Sequence, residues 1–310
     1  MNLTEEEVDW AYQVVFGRPA ENDDVRSFWT VNAVDLRHLV DSLVESNEAI
    51  ANRHSVDGDV VHDLSPAIQA RLVPILRRLR PHRAIGAEKI RIGRDHDGGY
   101  VMVDDLDGVQ AAYSLGISDD VSWDFDLANR GIEVLQFDHT IARCPIEHPL
   151  LRWSKLGIEG LPSDDAQLDT LPNILTRNAH RDRTDLILKC DIEGHEWEML
   201  SHLSSNLLDC FRQIVIELHV LNRIKEPAFL DAFRRAVHAL TANHRVVHVH
   251  ANNCAPYFIL GGVPLPSVLE LTLLRRDRRP LEPSDEVFPT RLDMPNAPHL
   301  ADFVLGTFQF

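Results

Sequence analysis

Three apolar runs of this chain each stop on an acid: residues 132–137 run into Asp138, 186–190 into Asp191, and 214–216 into Glu217. A fourth run, residues 109–115, stops at Gly116. Runs of this length and apolarity suit strands covered on both faces. Between them lie helix-like stretches at 121–129 and 196–208. Strands that alternate with helices pair in parallel, because each crossover returns the chain to the same end of the sheet. The pattern therefore predicts a mostly parallel α/β sheet whose ligand chemistry sits outside the carboxyl ends of its strands.

The flanks complete this outline. Thr4 followed by Glu7 forms a capping-box start, and Val8, Ala11, Tyr12 and Val15 recur at helical spacing up to a stop at Gly17-Arg18-Pro19. Leu36, Leu39, Val40, Leu43 and Val44 make a second apolar stripe. We read residues 1–55 as a helical N-terminal module, with 54–59 as linker, and 56–310 as the main domain, entered through a helix at 66–79. Residues 245–250 and 268–274 read as strands closing the sheet edge, one of them antiparallel.

The formal net charge of −17 repels phosphate backbones, so nucleic acid is not expected as a partner. The basic clusters Arg77-Arg78-Leu79-Arg80 and Arg275-Arg276-Asp277-Arg278-Arg279 are short and read as solvated faces. No apolar stretch reaches membrane-spanning length, and the acidic start is unlike a signal peptide, so a cytoplasmic protein is expected. The four cysteines are widely spaced without a CxxC pair, which suits reduced thiols.

The segment 184–200 carries Lys189-Cys190-Asp191-Ile192-Glu193-Gly194-His195-Glu196. It resembles the Lys-x-Asp-x-Glu-Gly-x-Glu signature of FkbM-type methyltransferases. Leu168-Asp169-Thr170-Leu171 looks like that family's Leu-Asp-x-Leu element, and residues 213–219 resemble its next strand. Arg91-Ile92-Gly93, followed by Asp97-Gly98-Gly99-Tyr100, is similar to the entry of a related methyltransferase-like branch. The resemblance covers roughly residues 85 to 280. It implies a Rossmann-like class I methyltransferase sheet using S-adenosylmethionine. The chain departs from the family in having Ser114-Leu115-Gly116-Ile117 where a longer glycine motif is usual.

That resemblance and the residues together assign expected roles. Gly116 and Ile117 let the backbone approach a cofactor, and the absence of GxGxxG argues against a dinucleotide. Asp138 is placed to accept ribose hydroxyls. The resemblance adds Asp169 to the cofactor side. Asp97, Gly98, Gly99 and Tyr100 either take part of the methionine-binding role or form a plain β-turn. Asp191, Glu217 and His219 suit Mg²⁺ or Mn²⁺. His195 or Glu193 is the expected general base, with Asp191 alongside. His248, His250, Asn252 and Asn253 either line an acceptor pocket or form an exposed edge, whereas Trp153 and Trp197 read as core. Residues 8–12 and 16–19 look like small modules preceding some bacterial glycan-modifying enzymes. The expected function is thus O-methylation of a sugar hydroxyl on a glycan or glycosylated metabolite. The alternatives are methylation of a peptide, lipid or other small molecule, a metal-dependent hydrolase, or a degenerate fold used as a scaffold.

Overall fold

A computed structural model describes residues 3–16, 19–20, 22–44 and 62–310. Three helices come first: α1 (Glu5–Phe16), α2 (Asp23–Asn32) and α3 (Leu36–Val44). The capping box at α1 forms as expected: Glu7 N–H donates to Thr4 Oγ1 at 3.2 Å, and Thr4 N–H donates to Glu7 Oε2 at 2.7 Å. The helix α2 is not among the expected elements, and it buries none of its side chains fully. Gly17-Arg18 and the expected linker 54–59 lie outside the described residues.

The helices α1 and α3 are amphipathic against a definite surface. Val8, Ala11, Leu39 and Val40 pack with Ala251, Tyr257, Ile259 and Phe303, and Trp10 meets the Tyr257 ring edge-on at 5.5 Å. The N-terminal unit is thus seated on the last third of the chain.

The helix α4 (Pro66–Leu76) is followed by a 3₁₀ turn to Leu79, where the sequence had suggested one helix through 79. A hairpin of β1 (Lys89–Ile92) and β2 (Tyr100–Val103) then precedes the central sheet. That sheet contains β3 (Ala111–Leu115), β4 (Glu133–Phe137), β5 (Leu151–Ser154), β6 (Leu186–Cys190), β7 (Phe211–Leu218), β8 (His244–Ala251) and β9 (Leu269–Arg275). Their spatial order is β8-β9-β7-β6-β3-β4-β5. The strands from β7 across to β5 are parallel, and β9 is antiparallel to both of its neighbours. The protein is therefore Rossmann-like, with its one reversed strand second from the edge. The rim strand β8 runs with the majority.

Burial explains why the strands were legible. Every residue of β3, β6 and β7 is buried, as expected of parallel strands covered by helices on both faces. The covering helices include α5 (Ser122–Asn129), α6 (Leu171–Arg177), α7 (Glu196–His202) and α8 (Pro227–Asn243). The helical pattern at 196–208 is broken at Leu203 and Ser204, with only one further turn at Ser205–Leu208. β7 is longer than the sequence suggested, so Glu217 lies inside it and His219 just beyond. Trp197 is core, packed against Phe229 and Phe233.

Candidate active site

The carboxyl ends of β3 and β6 meet at a close approach that tolerates no side chain. Gly116 has φ +76°, and a Cβ built on it would run into the carbonyl of Asp191. Both facts require glycine there. Two groups clasp the loop behind it. The buried Lys189 ammonium donates to Gly116 O at 2.7 Å. From the other side, Asp138 Oδ2 accepts from the N–H groups of Ile117 (3.0 Å) and Ser118 (2.9 Å).

Asp138 Oδ1 also accepts from Thr140 N–H at 2.8 Å and Thr140 Oγ1 at 2.6 Å. A carboxylate has about four lone-pair directions, and all are used. Burial alone would raise this carboxyl, but Thr140 and the three backbone donors hold it below its ordinary value. The sequence expects a ribose acceptor at Asp138; in the structure its carboxylate clasps the loop after β3. Asp169 is likewise engaged, with Asn173 Nδ2 at 2.9 Å and Arg177 in an ion pair.

The turn after β6 delivers the next group of acids. Glu193 and Gly194 both take left-handed backbone (φ 54° and 99°), which turns the chain into α7. Asp191, Glu217 and His219 converge so that one ligand atom from each lies within 4.8 Å of the others. Their supports are specific. The Tyr100 hydroxyl donates to Asp191 Oδ2 at 3.0 Å. Asn252 Nδ2 donates to Glu217 Oε1 at 2.7 Å. The fully buried Glu196 accepts from His219 N–H at 2.6 Å and from Gly194 N–H at 2.9 Å. His219 Nδ1 lies 3.3 Å from Glu196 Oε1, close enough for attraction though not aligned as a hydrogen bond. His219 Nε2 faces Asp191 at 3.8 Å and Glu193 at 3.4 Å.

Crowding sets the electrostatics. Burial, followed by the charges of Asp191 and Glu270, pushes Glu217 well above the ordinary glutamate value. Burial alone would lower His219, but Glu196, Asp191 and Glu193 outweigh it and hold the imidazole above its usual value. Burial also pushes the Tyr100 hydroxyl well above 10, so it stays a donor.

Not every expected residue joins. Asp97, Gly98 and Gly99 lie in the loop of the β1–β2 hairpin, which leads into Tyr100 at Asp191, and the Asp97 charge adds to those that raise Glu217. His195 is exposed at the start of α7, and its side chain makes no hydrogen bond or ion pair among the described residues. Glu193 is 85% exposed yet within reach of His219.

His248, His250 and Asn253 are buried, so they form neither an exposed edge nor an open pocket wall. Instead they hold the C-terminal segment. His248 Nε2 is 2.7 Å from Asp293 Oδ1, and Asn253 donates to the carbonyls of Ala297, Leu300 and Ala301. The antiparallel β9 contributes Glu270, which the sequence reading overlooked. Its signal was an acid inside the apolar run Val268–Leu274, at a position that alternation turns toward the site.

The basic clusters are largely tied down. Arg278 and Arg279 both bind Asp105, Arg275 caps the carbonyls of Thr184 and Asp209, and Arg77 and Arg78 bind Phe310 O and Thr241 Oγ1. Of the arginines in the 275–279 cluster only Arg276 is exposed.

Fold and site define a Rossmann-like α/β protein with a polar, acid-rich site at the carboxyl end of its sheet. Comparison with known proteins adds a direction. No protein-family model matches the chain. A human protein named probable methyltransferase-like protein 24 is 30% identical over 117 residues, covering 35% of this chain and 32% of its own. The chain thus matches about a third of that relative's length. Among solved structures, a Streptococcus thermophilus protein named as a hemolysin overlaps at TM-score 0.30 and 10% identity, over 62% of this chain and 64% of that one. A 16S rRNA adenine methyltransferase variant from Catenulisporales acidiphilia overlaps at TM-score 0.29 and 13% identity, over 63% of this chain and all of the other. Both superpositions are too loose to bear on the site. No helix among the described residues is long and apolar enough to cross a membrane.

Proposed function

We propose that this protein is an S-adenosylmethionine-dependent O-methyltransferase acting on a hydroxyl of a saccharide or glycosylated metabolite, with a divalent cation, Mg²⁺ or Mn²⁺, at Asp191, Glu217 and His219. The observation that carries it is the convergence of those three side chains within 4.8 Å beside the Gly116 loop. The similarity to a methyltransferase-like protein favours methyl transfer over hydrolysis.

The donor set fits a hard or borderline cation: two carboxylates and one imidazole, each oriented by a further group. Glu217 offers its second oxygen while Asn252 holds the first, and Glu196 flanks Nδ1 of His219, leaving Nε2 toward the acids. A divalent ion bound there would make a coordinated hydroxyl a better proton donor and a stronger nucleophile. The remaining work belongs to the chain. Gly116 keeps the backbone bare where the cofactor must approach, and Lys189 and Asp138 hold that loop in shape. Tyr100 orients Asp191. Glu193 or His195 takes the acceptor's proton, and Glu193 has the better geometry because it already faces His219 Nε2. The acid-rich site disfavours phosphorylated or carboxylated acceptors, which suits a neutral polyol. The unpaired cysteines fit a reducing, cytoplasmic setting.

Calorimetry with S-adenosylhomocysteine, with and without Mn²⁺, tests this. Binding at micromolar strength is expected, with a separate Mn²⁺ signal that Asp191→Ala abolishes. Absence of S-adenosylhomocysteine binding in both conditions sinks the proposal.

A further inference from the structure

The acids of the site belong to a longer row that crosses four neighbouring strands. Cys190 pairs with Ile216, so Asp191 follows at the level of Glu217. Glu217 pairs with Glu270 on β9, and Glu270 pairs with His250 on β8. Side chains at one level of adjacent strands share a face, so all four point to the same side of the sheet.

Within this row Glu217 and Glu270 are treated differently. Both oxygens of Glu270 are occupied: Oε2 by His250 Nδ1 at 3.1 Å and Oε1 by Asn296 Nδ2 at 2.7 Å. Among the described residues Glu217 has only Oε1 engaged, by Asn252. The other ring nitrogen of His250 lies 3.2 Å from each oxygen of Asp302. With an acid at each nitrogen, the imidazolium is the form that satisfies both. Asn296 and Asp302 lie on the C-terminal segment, which Asn253 holds through three backbone carbonyls.

We infer that His250 is a positioning residue of the cation site: clamped between Glu270 and Asp302, it withholds Glu270 from the ion and leaves Glu217 as the carboxylate presented by this pair of strands. The inference rests on the cation site proposed above. The imidazolium also places one positive charge beside the row, which weakens attraction for a cation by an amount worth about tenfold in affinity at protein-like dielectric. The C-terminal segment takes part, because Asn296 holds the second oxygen of Glu270 and also reaches Asp97 Oδ1 at 3.2 Å.

The expected sign separates this role from a structural one. A structurally important histidine loses binding when replaced. Here His250→Gln frees Glu270, removes a cation, and tightens binding of Mn²⁺ alone, read by electron paramagnetic resonance, by about tenfold. In that background Glu217→Gln costs less affinity than it does in the natural protein, because Glu270 substitutes for it. Asn296→Ala frees the other oxygen of Glu270 without touching the ring and shifts Mn²⁺ affinity in the same direction. That variant decides the matter if His250→Gln does not fold. Unchanged or weakened Mn²⁺ binding in both variants, with the Glu217→Gln penalty unaltered, overturns the inference while leaving the cation site intact. If the natural protein binds S-adenosylhomocysteine but no Mn²⁺, the cation site falls and this role falls with it.

Discussion

The two halves of the sheet mouth handle their acids in opposite ways. On the β3–β4 side, Asp138 is saturated by four donors and sits below its ordinary pKa. On the β6–β7 side, Glu217 is buried among other acids and sits well above its own. In the first half the chain itself supplies the donors that satisfy the carboxylate. The second holds like charges together at a free-energy cost that a bound cation would relieve. A site that binds something positive is recognised by this contrast more than by its count of acids.

The largest expected effect breaks the first half. Gly116→Ala forces a Cβ into the Asp191 carbonyl and a side chain into left-handed backbone, so it should cost about 3 kcal/mol or more in urea unfolding. A loss under about 1 kcal/mol would mean the two strand ends part easily.

The pH dependence of stability sharpens the comparison, because the two acids have opposite signs. Asp138, with a lowered pKa, contributes stability that is present above 3.8 and is lost as pH falls through its folded value. Glu217, with a raised pKa, favours the metal-free fold fully below 4.5, and that contribution is lost as pH rises through its folded value. Unfolding titrations of metal-free protein should therefore show a shallower acid-side slope in Asp138→Asn. Glu217→Gln should instead be more stable than the natural protein at alkaline pH. Equal slopes in both variants would contradict the contrast.

The smallest effect concerns His195. Being exposed and unpaired, it should change stability by no more than about 0.5 kcal/mol when replaced by Ala. Any fall in methyl transfer at unchanged S-adenosylhomocysteine affinity then reports its proton role alone. Full turnover leaves Glu193 as the base.

Legibility in the sequence followed burial. β6 is legible to the residue because all five of its positions are buried and four are apolar; the fifth, Lys189, reaches back with its ammonium to Gly116. The region after Asp138 was not read: its strands at 151–154, 157–159 and 168–170 are short, and β5 is only partly buried, so no period forms. Asp191, Glu217 and His219 were legible as a set because parallel strands end at one edge, and an acid at each end must fall close to its neighbour.

Glu270 and the C-terminal segment were beyond reach for a different reason. Glu270 joins the row only because β9 inserts antiparallel between β7 and β8, a choice of partner made over more than 50 residues of intervening chain. Alternation puts His248 and His250 on one face, as pocket lining or exposed edge alike, and their burial under residues 286–302 follows from the fold. The sequence places Asp138 at a strand end, and only the fold shows that Thr140 and the Gly116 loop donate to it. By itself the sequence determined β3, β4, β6 and β7, their parallel direction and the acids at or near their ends, because these depend on local apolar period and crossover geometry. Only the tertiary structure decided which acids are satisfied and which are left facing one another, because hydrogen-bond partners come from segments distant in the chain.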